Sequence, residues 1–323
     1  MGVKYLKRYI RNNCNSGARQ IQLERLRGKK IAVDVSIYLY RYKSNEGLME
    51  GMFSLISTLF NDGIIPGFIF DGPPKANKAV EIANRRKRKS EAWEQYKSLD
   101  KKDTVSMSNN ELANHTAGLK NLKSQCIRIS PTDTANVKEL IDFMGCTWID
   151  APHEADEVCA MLVKSKQVYA VLSEDMDMFL YGCAHILCYL SIVHRTVLLY
   201  DLKVLLKELS MTHEEFKQVC VISGTDYNTP SPKNLYFYME QFKRYQRSKK
   251  RGKSADYYEW IMDNHPTLID DHTELLKTYF VFDLQGTEYD YLKKFDKVII
   301  KNREPQMDKL EELLLPEDFM FVH

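Results

Sequence analysis

Seven carboxylates recur where short apolar runs end. Asp34 closes Ile31-Ala32-Val33, and Asp71 closes Gly67-Phe68-Ile69-Phe70. Glu154 and Asp156 stand in Ala-Pro-His-Glu-Ala-Asp, Asp175 and Asp177 follow the run Val168 to Leu172, and Asp226 stands in Gly-Thr-Asp-Tyr. Open α/β sheets bind their ligands at the carboxyl ends of the strands. Oxygen donors without histidine suit Mg²⁺ or Mn²⁺, and two such ions in one site hydrolyse phosphodiesters, which is nuclease chemistry. A single strand-end Asp is usually a helix cap or a solvated turn residue; it is the recurrence that carries the signal. Glu154 with Asp156, and Asp175 with Asp177, are pairs two apart, a spacing that puts both side chains on one side of an extended chain. Carboxylates ~5 Å apart repel by ~3 kcal/mol at an effective dielectric of ~20. A converged cluster therefore needs raised pKa values or bound cations.

The elements that must position these residues follow from periodicity. Tyr5, Leu6, Tyr9 and Ile10 make one helical face; Lys30 to Ile37 reads as a strand, Leu48 to Phe60 as a helix and Ile64 to Phe70 as a second strand. Such alternation predicts an α/β fold with a mostly parallel central sheet. From Gly72 to Lys102 the chain is basic, with ten Lys or Arg against four Asp or Glu. Ala76 to Leu99 should be helical and Asp100 to Asn114 looser. Asp133 to Gly145 reads as a helix capped by Thr132 or Asp133, followed by a strand from Cys146 to Ile149. A helix is expected from Glu154 to Lys164, a central strand from Val168 to Leu172, and two more strands from Ile186 to Leu190 and Thr196 to Tyr200. Helices from Leu202 to Leu209 and His213 to Ser223 lead to Asp226. Beyond Tyr227 the chain is tyrosine-rich and basic, then mostly helical.

The 323 residues suffice for one large domain or two smaller ones, and the formal net charge of +2 leaves any nucleic-acid signal to local patches. Seven cysteines without a Cys-x-x-Cys pair argue against zinc and fit a reduced, intracellular setting. No apolar run approaches the ~20 residues of a membrane span, so no membrane partner is expected. Met1-Gly2 lacks the Ser or Thr at position 6 that myristoylation needs, since Leu6 stands there.

Five blocks together resemble the flap endonuclease/XPG family of structure-specific 5′ nucleases. They are Met1-Gly2-Val3 with Ile31-Ala32-Val33-Asp34-Val35-Ser36, Phe68-Ile69-Phe70-Asp71-Gly72-Pro73-Pro74, Ile149-Asp150-Ala151-Pro152-His153-Glu154-Ala155-Asp156, Val168-Tyr169-Ala170 with Glu174-Asp175-Met176-Asp177, and Ser223-Gly224-Thr225-Asp226-Tyr227. They stand in family order over residues 1 to about 228. The resemblance implies a PIN-like 5′ nuclease core at 1–230, with 72–123 as a helical arch inserted into it and 231–323 as a helical C-terminal region. It implies two Mg²⁺ ions, with Mn²⁺ able to substitute: Asp34, Asp71, Glu154 and Asp156 on one side, Asp175, Asp177 and Asp226 on the other. Lys78 and Arg85, seven apart and so on one helical face, resemble the family's catalytic Lys and Arg. Tyr40, six beyond Asp34, resembles its base-stacking tyrosine. Lys75, Arg86 and Arg88 are further candidates for nucleic-acid contact. The implied partner is DNA with a 5′ flap, nick, gap or free 5′ end, with RNA as the rival substrate and an inert nucleic-acid-binding scaffold as the rival class. A monomer is expected, in the nucleus or at a cytoplasmic, even viral, site of DNA replication.

The chain departs from the family pattern in three places. Asp156 stands where the family has Glu. No glycine occurs from Thr225 to Arg251, so the family's Gly-hydrophobic-Gly hairpin, which brings backbone amides to duplex phosphates, is missing. Residues 241 to 255 offer a substitute: seven Lys or Arg, no acids, and Phe242 and Tyr245 interleaved. Lys249, Lys250 and Arg251 are its candidate contacts. No Gln-x-x-aliphatic-x-x-aromatic-aromatic motif for a sliding clamp is found.

Overall fold

The computed structural model describes residues 2–75, 78–101, 108–228, 231–249, 256–317 and 319. Seven strands form one sheet: β1 (Ala18–Gln22), β2 (Lys30–Asp34), β3 (Ile65–Phe70), β4 (Thr147–Asp150), β5 (Ala170–Leu172), β6 (His185–Ser191) and β7 (Thr196–Asp201), in the order β1-β7-β6-β5-β2-β3-β4. The run from β6 to β4 is parallel; β7 and β1 add antiparallel at one edge. The chain builds outward from β2 through β3 to β4, then returns to lay β5 on the other side of β2. The gap between β2 and β5 is thus the topological switch point, where such sheets open a crevice. The edge strand β1 lacks the apolar alternation that would reveal it, with only Ile21 buried.

The alternation along the strands sorts side chains to two cores. Ile31, Val33, Phe68, Phe70, Ala170 and Leu172 face α2 (Ser36–Ser44), α3 (Leu48–Asn61) and α6 (Pro131–Phe143). Ala32, Ile69 and Val171 face α1 (Leu6–Asn13), α7 (Ala155–Lys164), α8 (Asp177–Leu180) and α10 (His213–Ser223). The sequence expected one strand from Lys30 to Ile37; the strand stops at Asp34 and α2 begins at Ser36. The cap of α6 is Ser130, with Asp133 as its reciprocal partner three residues into the helix, rather than Thr132 or Asp133.

Between β3 and α6 rises a helical hairpin, α4 (Ala79–Asp100) and α5 (Asn109–Cys126). The looser stretch expected from Asp100 to Asn114 is helical from Asn109 on, because Ser108 and Glu111 form a capping box. His115 ties the pair together through the Leu99 carbonyl at 2.9 Å. After β7 come α9 (Leu202–Leu209), then α10, α11 (Leu235–Lys249), α12 (Tyr257–Asn264), α13 (His272–Val281) and α14 (Met307–Leu314). Among the described residues no helix is long and apolar enough to cross a membrane.

Candidate active site

Strand register brings the carboxylates to one edge. In the parallel ladders Val33 pairs with Phe68 on one side and Leu172 on the other, and Phe70 pairs with Asp150. Asp34, Asp71, the 151–154 turn and the 173–177 turn therefore leave the sheet at the same level. They open into a cleft of about 380 Å³ lined by Asp34, Asp71, Glu154, Asp156, Asp175 and Asp226. Lys78, Arg85, Arg86 and Lys89 close it from α4, and Tyr40 stands on its rim.

The paired acids do not sit on extended chain as their spacing suggested. Glu154 is the extended residue before α7 and Asp156 lies in its first turn; Asp177 opens α8. Asp34, Asp71, Asp175 and Glu154 are each held by donors of the protein. Ser36 N–H donates to Asp34 at 3.1 Å and Ser173 Oγ donates to its other oxygen at 3.0 Å. Asp71 accepts from the Ala155 amide at 2.8 Å and from the Ser36 hydroxyl. Asp175 accepts from the Asp177 amide at 2.9 Å. Lys78, the residue before α4, is buried and pairs with Glu154 at 2.9 Å; its ammonium lies 4.4 Å from the centre of the Tyr227 ring. Tyr227 O–H donates to the same Glu154 oxygen at 2.7 Å.

Burial and mutual repulsion set the charges. Burial, with the Asp71 charge, pushes Asp34 up to about 7. Asp156, Asp175 and Asp177 are raised too, chiefly by burial. For Lys78 burial works downward, but the Glu154 and Asp156 carboxylates outweigh it and hold the ammonium above its ordinary value. Asp177 lies under the cleft, 2 % exposed, and its Oδ1 is buried without a hydrogen-bond partner. A buried carboxylate oxygen of this kind calls for a proton or a cation. Among the described residues no three His, Cys, Asp or Glu form a ready-made metal cage. An open arrangement is what Mg²⁺ takes, because it keeps several waters and few carboxylates. The donor set, all oxygen, fits it.

Four residues essential to this geometry were not singled out from the sequence. Ser36 and Ser173 orient Asp34, and Tyr227 holds Glu154. Gly2 has φ 73°, and a Cβ there would fall 2.5 Å from Asp175 Oδ1 and against Asp177 Oδ1 as well. Tyr227 was visible in the Gly-Thr-Asp-Tyr block; nothing near Gly2 in sequence reveals its neighbours.

Several candidate nucleic-acid contacts stand elsewhere than expected. Tyr40 is 45 % exposed at the cleft, with Lys89 over its ring at 5.1 Å, while Tyr38 is buried. Lys75 does not reach the cleft: it pairs with Glu157 at 2.5 Å, because a fully buried carboxylate needs a counter-cation. Arg88 borders a neighbouring groove. Lys249 pairs with Glu215 at 3.0 Å, and Phe242 and Tyr245 are buried, so neither ring is offered to a base. Lys250 and Arg251 lie outside the described residues.

Family models match at both ends of this constellation: the XPG N-terminal domain over residues 1–92 and the XPG I-region over residues 145–226. The chain belongs to the flap endonuclease/XPG family. Flap endonuclease 1 of Glycine max is 30 % identical over 246 residues, which is 70 % of this chain and 62 % of that protein. The chain thus spans a little under two thirds of that relative. Among solved structures, the catalytic core of Rad2 in complex with DNA substrate superposes with a TM-score of 0.69 at 19 % identity, covering 98 % of this chain and 95 % of that one. GEN1 in complex with product DNA and Mg²⁺ gives 0.62 at 20 % identity, over 95 % and 72 %. The fold is that of the family's nucleases. The flap endonucleases of Glycine max and Drosophila yakuba that it resembles are eukaryotic proteins, and the cytoplasmic, viral setting finds no support in them.

Proposed function

We propose that this chain is a Mg²⁺-dependent 5′ nuclease that hydrolyses DNA phosphodiesters near single-strand/double-strand junctions, as a flap endonuclease or 5′–3′ exonuclease, in nuclear DNA replication, repair or recombination. The supporting observation is one cleft that combines six carboxylates with Lys78 and Arg85. Asp34, Asp71, Glu154 and Asp156 would hold one ion, and Asp175, Asp177 and Asp226 the other; Mn²⁺ would serve in place of Mg²⁺. Bound there, the ions supply an activated water and charge neutralisation at the phosphate. Lys78, fixed by Glu154 and Tyr227, would donate to a phosphate oxygen, and Arg85 would join it from two turns along α4. Such positioned donors stabilise charge that develops in the transition state. Tyr40 would stack on a base beside the cut. In the relatives' names, Rad2 carries DNA substrate and GEN1 carries product DNA and Mg²⁺, which is the same substrate class.

Single-turnover cleavage of a labelled 5′ flap, a blunt duplex, a nicked duplex and single-stranded RNA tests this, each with Mg²⁺ and with EDTA, beside Asp175→Ala. Metal-dependent cutting near the flap junction that Asp175→Ala abolishes is the expected result. Cutting of RNA alone would move the activity to RNA. No cutting by folded protein would overturn the nuclease reading and favour a binding scaffold.

A further inference from the structure

A second groove leaves the cleft along the N-terminal segment. It holds about 820 Å³ and shares Asp226 with the cleft. The N-terminal segment and the 231–235 stretch line it, with Arg88 at one side. Lys7 and Arg8 continue from it into a further hollow of about 480 Å³ that reaches Arg11. The carboxylate cleft thus opens into a track that runs along α1.

The track is cationic by construction. α1 buries Leu6, Tyr9 and Ile10 and turns Arg8 and Arg11, three apart on one face, to solvent; Lys4 stands exposed just before it. Lys7 is already paired with Glu174 at 2.8 Å. Among the described residues no carboxylate pairs with Lys4, Arg8, Arg11, Arg88 or Lys233. A row of unpaired cations beside a phosphodiesterase cleft is the electrostatic footprint of a phosphate backbone.

The same surface argues for paired rather than single strands. Single strands are gripped by stacking on open aromatic faces. The exposed rings here are Tyr5 and Tyr189, and lysine ammoniums cover them at 5.3 and 4.6 Å. Lysine ammoniums also stand over Tyr40 and Trp93 on the α4 side, at 5.1 and 5.6 Å, so what distinguishes the α1 side is its row of unpaired cations and not the cover of its rings. Phosphate contact without stacking is what a duplex needs.

We propose that the exposed face of α1, with Lys4, Arg8 and Arg11, is the site that holds the duplex arm of the substrate by its phosphates. This chain has no glycine hairpin after Asp226 to do so, and the 231–235 stretch lines the groove with Lys233 instead. The proposal rests on the nuclease reading. The test is equilibrium binding in EDTA of the full chain and of the Lys4→Ala, Arg8→Ala, Arg11→Ala triple variant, against a labelled blunt duplex and a labelled single strand, over a salt series. Each lost phosphate contact removes about 0.9 from the slope of log K against log salt. The expected result is a duplex slope shallower by about two to three, with single-strand affinity kept. An unchanged duplex slope would remove α1 from the interface. An equal loss on both substrates would overturn the duplex assignment. Failure of the parent chain to bind or cut any nucleic acid would instead overturn the nuclease reading, and with it this one. The altered residues are all exposed, so circular dichroism of the variant should match the parent.

Discussion

Stripping divalent metal from this protein should make it less stable as pH rises. Asp34 titrates near 7 in the fold against 3.8 for an ordinary Asp, because burial and the Asp71 charge disfavour its anion. The folded pKa lies above the unfolded one. The neutral carboxyl therefore contributes stability that is complete below about pH 4 and is lost as pH climbs through 7. At 1.36 kcal/mol per pH unit the difference is worth about 4 kcal/mol at most. Asp34 keeps some contact with solvent in the cleft, so about half of that is the working figure. With an unfolding entropy of ~2.1 cal/mol/K per residue, ~1 kcal/mol moves the melting temperature of a 323-residue chain by roughly 1.5 °C, which gives a fall of roughly 3 °C between pH 4.5 and 8. Asp156, Asp175 and Asp177 shift the same way and add to it. His213 opposes: burial depresses its imidazole, so its contribution grows as pH rises towards its ordinary 6.5. Asp34→Asn isolates the carboxyl from that background. The assay is differential scanning fluorimetry in EDTA across pH 5 to 8, for parent and Asp34→Asn, repeated with Mg²⁺. The parent should lose stability relative to Asp34→Asn as pH rises. Mg²⁺ should stabilise the parent more at pH 8 than at pH 6, because ligands bind deprotonated. A parent-minus-variant difference that is flat or opposite in sign, or a Mg²⁺ effect independent of pH, would refute the argument.

Three substitutions probe the rest of the site. Lys78→Ala should slow single-turnover cleavage by roughly 10²–10³-fold, as loss of a charge-stabilising donor does, while flap binding in EDTA changes much less; equal losses in both would make Lys78 a binding residue only. Asp177→Asn removes a buried carboxylate whose Oδ1 has no partner, so the metal-free melting temperature should rise while Mg²⁺-dependent cleavage disappears. Retained cleavage would take Asp177 out of the metal set. Gly2→Ala places a methyl group at a φ of 73° and against the Asp175 and Asp177 carboxylates; the Mg²⁺ concentration needed to raise the melting temperature should increase, and an unchanged titration midpoint would show that the clash is absorbed elsewhere.

What was legible in the sequence is what depends on short stretches of chain. An acid after an apolar run ends a strand whatever surrounds it, and parallel pairing then levels the strand ends, so Asp34, Asp71 and Asp175 converge by register alone. Lys78 and Arg85 were expected from the family resemblance, and both line the cleft. The failures share a different cause: each turns on a partner far along the chain. Lys75 was assigned to phosphate because nothing in its own segment marks Glu157, 82 residues away, as fully buried and in need of a cation. Phe242 and Tyr245 read as interleaved in a basic patch, but they belong to the buried face of α11. Gly2 reads as an unremarkable second residue until the 175–177 turn is folded over it. The missing glycine hairpin looked like a loss that residues 241–255 should repair, since that is where positive charge is densest in sequence. Density along the chain does not decide the matter, because Lys249 is consumed by Glu215. Among the described residues, further cations without acid partners stand beside the cleft at the other end of the chain, around α1, where the sequence showed only an amphipathic helix. In a site built for phosphate, then, the unpaired cations matter more than the number of cations. Pairing is a property of the fold.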